Sequence, residues 1–104
     1  MVDLPDLSHT QGFDWDRGNV DKNWRRHHVA FYECEEIFFN EPVLFPNPKH
    51  SAAEARYYAW GRTARWRMLT ISFTVRGNKI RVISARDMNR KERREYGKIV
   101  EENP

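Results

Sequence analysis

Two arginines, Arg81 and Arg86, sit in a run of strand-forming residues with Ile80, Val82 and Ile83. A guanidinium carried on a strand rises from rigid backbone, and its planar fork can meet two oxygens of a phosphate at once. Arg62 and Arg65 add two further forks, flanked by Trp60 and Trp66. Cations interleaved with aromatics suit phosphates beside stacked bases, although core packing is the commoner use of a tryptophan such as Trp60. Arg90, Lys91, Arg93 and Arg94 follow, and then Tyr96. The chemistry these residues could do is recognition of a polyanion. Other chemistry finds no support: His9, His27, His28 and His50 lack a metal-site spacing, Cys34 is the only cysteine, and no glycine-rich phosphate loop follows a strand. No cofactor or metal is expected.

The elements that must position these residues can be read from periodicity. Leu69, Ile71, Phe73 and Val75 alternate with Met68, Thr70, Ser72 and Thr74, the pattern of a strand with one buried face. With residues 79 to 86 and the link Arg76-Gly77-Asn78 it predicts a hairpin. Asn89 with Glu92 reads as a capping box opening a last helix. Upstream, Phe13-Asp14-Trp15 is a short strand candidate, and Asp16 caps a helix to about His28 with an apolar stripe of Val20, Trp24 and His27 or His28. A second helix carries Phe31, Cys34, Ile37 and Phe38 on one side and Glu33, Glu35 and Glu36 on the other, and stops at Asn40-Glu41-Pro42. Residues 43 to 45 and 56 to 62 read as strands, separated by a loop at Pro46-Asn47-Pro48-Lys49-His50-Ser51. The predicted class is α+β: a short strand, two helices, about four antiparallel strands and a final helix.

Composition bounds the reading further. At 104 residues the chain is one domain, expected as a flexible leader over residues 1–12 and a folded unit over 13–104. No apolar run is long enough for a membrane span, so the cytoplasm is the default location. The net charge of +3 is unevenly spread. Residues 1–50 hold five Lys/Arg against nine Asp/Glu, whereas residues 76–104 hold nine against five. A basic second half favours nucleic acid through phosphate neutralisation, with a merely solvated helix face as the bland alternative.

Several pieces, in order and spacing, resemble the BrnT family of type II toxin–antitoxin ribonucleases. They are Phe13-x-Trp15-Asp16, Asn23-x-x-Arg26-His27-x-Val29, Asn40-Glu41-Pro42, His50-Ser51, Glu54-x-Arg56, Gly61-Arg62, Thr74-x-Arg76-Gly77, Ile80-Arg81-x-Ile83-Ser84-Ala85-Arg86 and Arg90-x-Glu92-Arg93-Arg94-x-Tyr96. The run from Ile80 into Arg93 is the most specific, and the likeness covers about residues 13 to 96. The resemblance implies a RelE-like fold and a ribonuclease that halts translation. It also implies a BrnA-like ribbon-helix-helix antitoxin that forms a hetero-oligomer with the toxin and reaches operator DNA, the complex repressing its own operon. Where the family usually has Lys, Gly and a small hydroxyl residue, this chain has Asn19, His28 and Ala30.

Metal-independent RNA cleavage needs a base near the 2′-hydroxyl, cations for the pentavalent phosphate and an acid for the leaving oxygen. His27 is a family-matching residue of a type that titrates near neutrality, and the resemblance makes it the candidate base or acid. Arg62, Arg81 and Arg86 are the candidate phosphate clamps, and Tyr96 a proton donor or stacking ring. Each has a plainer use: His27 as a helix-end hydrogen bonder, the arginines as partners of the acidic second helix, Tyr96 as a core residue. Arg26, Arg65, Trp66, Arg90, Arg93 and Arg94 are the expected RNA contacts. The expected reaction is general acid–base transphosphorylation leaving a cyclic phosphate. The competing expectation is a basic module that binds nucleic acid or an acidic partner without cutting anything.

Overall fold

Alternation over residues 69 to 75 does form a strand. In the computed structural model, which describes residues 4–48 and 54–102, Leu69, Ile71 and Phe73 are fully buried. They lie on β3 (Met68–Arg76), which turns through Gly77 at φ +60° into β4 (Lys79–Asp87); a glycine meets that left-handed requirement without a Cβ clash. β1 (Val43–Pro46) and β2 (Tyr57–Arg62) complete an antiparallel meander in the order β1-β2-β3-β4. The helices are α1 (Arg17–His27), α2 (Phe31–Phe39) and α3 (Arg90–Glu102). The α+β class and element order agree with the sequence reading, and the N-terminal strand is a single parallel bridge between Phe13 and Ile80. Half of the predicted loop and the His50-Ser51 piece of the family pattern lie outside the described residues.

α2 packs on one face of the sheet, with Cys34 and Ile37 buried against Ala59, Leu69, Ile71 and Phe73. A Cβ on Gly61 would stand 2.8 Å from Ile37 Cγ2, so the missing side chain lets this helix sit close to β2.

α1 departs from its expected apolar stripe. Trp24 is 52% exposed, and the buried residues of this helix are Asn19 and Asn23. The reason lies in what the helix covers. β4 is an edge strand whose outward N–H and C=O groups need partners. Asn19 Nδ2 donates to the Val82 carbonyl (3.1 Å), and Asn23 Oδ1 accepts from the Ala85 N–H (3.1 Å). Backbone is thus covered by amide side chains, which no hydrophobic periodicity announces. The same edge is continued by Gln11 N–H to the Asn78 carbonyl (2.6 Å), Ile80 N–H to the Gly12 carbonyl (3.0 Å) and Asp14 N–H to the Ile80 carbonyl (2.8 Å). Leu7, on a short 3-10 turn (Leu7–His9), packs on the core. The later part of the expected leader therefore has defined contacts in the fold.

The second face of the sheet is open over much of its area. By register it carries Tyr58, Trp60 and Arg62 from β2, Thr70 and Ser72 from β3, and Ser84 and Arg86 from β4. α3 lies across one end of it. Glu92 bonds Arg86, the buried Tyr96 shares a cavity of about 310 Å³ with Val43 and Arg62, and Ile99 and Val100 line the same cavity.

Candidate functional site

β2 ends and β3 begins where Arg62 pairs with Met68, and β4 ends beside them, with Leu69 opposite Asp87 and Thr70 opposite Arg86. α1 finishes at this end and α3 starts from it. The fastening is Arg67. Its Nε and Nη2 grip the Asp87 carboxylate at 2.7 and 3.1 Å, while Nη1 reaches Glu33 Oε1 at 3.1 Å. The same guanidinium donates to the His28 and His27 carbonyls at 2.8 and 3.1 Å. The Arg67 hydrogen bond holds the Asp87 carboxyl below the usual carboxylate range, and that bond is also the first cause of the raised Arg67 pKa. With its donors committed, Arg67 positions four segments and has none left for a phosphate.

A bulge aims Arg86. Phe73 pairs with Val82 and Ser72 with Ser84, so Ile83 is an extra residue on β4. Strict alternation from the buried Val82 would point Ser84 and Arg86 toward the helices; the extra residue moves both to the open face and returns Ala85 to the core. There Arg86 meets Glu92 in a two-pronged pair, Nη1 to Oε1 at 2.7 Å and Nη2 to Oε2 at 2.9 Å. This bond is the first cause of the raised Arg86 pKa and of the lowered Glu92 pKa. Glu92 Oε1 also accepts from the Asn89 N–H at 2.9 Å, and Asn89 Oδ1 from the Glu92 N–H at 2.8 Å, the capping box expected from sequence. Beside Arg86 a cavity of about 220 Å³ is lined by Arg56, Tyr58, Ser72 and Ser84 among others.

Of the five catalytic candidates, Arg62, Arg86 and Tyr96 share the open-face side, but α3 places Tyr96 with Arg62 and Glu92 with Arg86. Arg62 lies over the Trp66 ring at 4.1 Å. His27, the exposed last residue of α1, is on the helical side, where its carbonyl accepts from Arg67. Asp87 and Arg86 are consecutive strand residues and so point to opposite faces. Arg81 is not brought to this end. Its Nη2 bonds Asp16 Oδ2 at 2.8 Å and its Nη1 lies 3.5 Å from Asp14, beside the start of α1. Five residues at about 3.3 Å each separate it from Arg86 along the strand, so one phosphate cannot be gripped by both in this arrangement.

The expected RNA contacts fall at the end fastened by Arg67. Arg26 is in the last turn of α1, Arg65 and the 68% exposed Trp66 are in the β2–β3 turn, and Arg90 and Arg94 project from the first turns of α3. Among the described residues these four arginines make no ion pair. Arg93 donates to the Met88 carbonyl at 2.6 Å. No three His, Cys, Asp or Glu side chains among the described residues come together as a metal cluster.

Sequence reasoning did not single out Arg67, Arg56 or Tyr58 as site residues. Tyr58 carried a signal, since it shares the alternation of Trp60 and Arg62. Its approach to Ser84 and Arg86 across β3 depends on register and on the bulge. Arg67 shows no signal, because its partners lie 20 to 40 residues away.

A profile of the family described as "Ribonuclease toxin, BrnT, of type II toxin-antitoxin system" matches residues 15–92. Among solved structures, the ribonuclease toxin BrnT of Brucella abortus is similar, with a TM-score of 0.61 and 23% sequence identity over 78% of this chain and 100% of that one. No curated protein matches the chain.

Proposed function

The chain belongs to the BrnT family of ribonuclease toxins of type II toxin–antitoxin systems, and from that premise we propose that it is a translation-arresting endoribonuclease working in the cytoplasm by metal-independent general acid–base transphosphorylation. Attack of the 2′-hydroxyl on the adjacent phosphorus breaks the bond to the 5′-oxygen and leaves a cyclic phosphate, so the protein must take one proton and return one. In this reading His27 handles one of those protons and Tyr96 is a candidate for the other. Arg62 and Arg86 meet the phosphate charge, and Arg26, Arg65, Trp66, Arg90, Arg93 and Arg94 hold the strand. A family of this type implies an antitoxin partner; we assign it as a BrnA-like ribbon-helix-helix protein whose complex with this chain represses their operon.

One observation carries the reading. Among the described residues, the fold gathers arginines with no ion pair from α1, the β2–β3 turn and α3 at one end of the sheet, where the carboxylates of Glu33, Asp87 and Glu92 are held by the two guanidiniums of Arg67 and Arg86. Such a surface attracts a polyanion. The position of His27 on the helical side, away from Arg86, favours a second reading, in which the same surface holds RNA without cleaving it. Incubating purified protein with end-labelled RNA in excess chelator decides between them. Cleavage with cyclic phosphate ends supports the nuclease, binding without cleavage supports the module, and unchanged growth after strong induction of folded wild type overturns the toxin assignment.

A further inference from the structure

We propose that the open-face cavity between Arg56, Tyr58, Ser84 and Arg86 seats a phosphodiester of the RNA strand, and that in the free protein the Glu92 carboxylate occupies the oxyanion's place on Arg86. The inference rests on the ribonuclease reading and locates a substrate subsite within it.

The cavity's chemistry is one-sided. Its lining brings two guanidinium-bearing residues, a phenol and the hydroxyls of Thr70, Ser72 and Ser84, and no carboxylate. Tyr58 and Arg86 line the same cavity. A lining rich in donors suits an anion, and the carboxylate that meets it is Glu92, on Arg86. The Arg86 fork holds the two Glu92 oxygens at 2.7 and 2.9 Å, and a planar fork binds a phosphate in the same two-pronged geometry as a carboxylate. The Arg86 side chain remains 41% exposed, so a ligand can approach it.

The neighbours of the cavity suggest a strand of nucleic acid as the source of the phosphate. On the same face the Phe45 ring lies 5.4 Å from that of Tyr58 and 4.8 Å from that of Trp60, and all three are half-buried. Partly exposed rings beside cationic donors form a surface on which a base can stack while its phosphate is held.

Glu92 is the reason the site is not open. One of its oxygens suffices for the helix cap at Asn89, and a glutamine serves that position as well. The negative charge is needed only toward Arg86. RNA entering this cavity displaces a carboxylate from Arg86, and Glu92 then competes with substrate. It does not act as the base.

Glu92→Gln separates the possibilities, because it keeps the cap and removes the charge. Binding is read by fluorescence anisotropy with an all-2′-deoxy oligonucleotide, which cannot undergo 2′-hydroxyl attack. Single-turnover cleavage of the matching RNA is read at saturation. Glu92→Gln is expected to bind about two- to fivefold more tightly, the size of a partly exposed ion pair that need not be broken, with cleavage retained. Arg56→Gln, checked for folding by circular dichroism, is expected to weaken binding and lower the slope of log affinity against log salt by about one phosphate contact. Tighter binding by Glu92→Gln together with a lowered slope for Arg56→Gln supports the subsite. Loss of cleavage in folded Glu92→Gln with unchanged binding would make Glu92 a catalytic base and overturn the proposal. So would wild-type affinity and salt slope in both variants. A wild-type protein that neither binds nor cleaves RNA defeats the ribonuclease reading itself.

Discussion

His28 closes α1 in the left-handed region, at φ +53° and ψ +38°, with its N–H on the Trp24 carbonyl at 2.9 Å. A side chain there costs about 1–2 kcal/mol that glycine avoids. His28→Gly removes that strain but loosens the unfolded chain by about 0.5–1 kcal/mol. The balance is a rise in Tm of a few degrees, followed by thermal circular dichroism, and His28→Val should fall below wild type. A clear drop for His28→Gly would mean that the ring contact with Trp24, 5.3 Å between centroids, outweighs the strain. His27 is the histidine that the sequence offers for chemistry, whereas its neighbour His28 is placed by helix termination.

At the scale of elements, the alternation of β3, the Gly77 turn and the Asn89–Glu92 cap were legible because each is a local rule. The partner of α1 was not, because that helix faces strand backbone. Asn23→Ala leaves the buried Ala85 N–H without its acceptor, and should lower stability by about 1–3 kcal/mol in denaturant titrations. A loss no larger than that of an exposed substitution would mean that water replaces the amide. The ion pairs joining β4 to β3 and α3 set the response to acid. Asp87 and Glu92 titrate below their ordinary values of 3.8 and 4.5, so the folded protein takes up protons less readily than the unfolded chain. Their contribution is complete above that range and is lost as the pH falls through the depressed folded-state values. Urea midpoints from pH 6 downward should therefore fall steeply below about 4.5, and Asp87→Asn with Glu92→Gln should flatten the decline. An equal slope in that double variant would place the acid sensitivity in other carboxylates.

In the molecule as a whole, the basic half identified by charge counting becomes a surface only because the meander returns β4 to the end where β2 and α1 finish. Arg81 and Arg86 look equivalent in the sequence, since both stand in one strand of the family pattern. The bulge at Ile83 and the acids at Asp14 and Asp16 make them different. Arg81→Ala should leave cleavage at saturating RNA near the wild-type rate while increasing hydrogen exchange in residues 11 to 20. Arg86→Ala should lower that rate by about 10²-fold or more, as removal of a transition-state donor does. Equal effects on rate would return Arg81 to the reaction. Arg67 has a further consequence, for the order of assembly. Its bonds to Glu33 and His27 close spans of 34 and 40 residues, whereas its bond to Asp87 continues the β3–β4 hairpin, which closes through a tight turn. Long spans are costly to close early, so the hairpin is expected to form first and the Arg67 contacts to Glu33 and His27 after the rate-limiting barrier. In stopped-flow experiments Arg67→Lys should then steepen the escape from the native state, raising the unfolding rate and leaving the refolding limb unchanged.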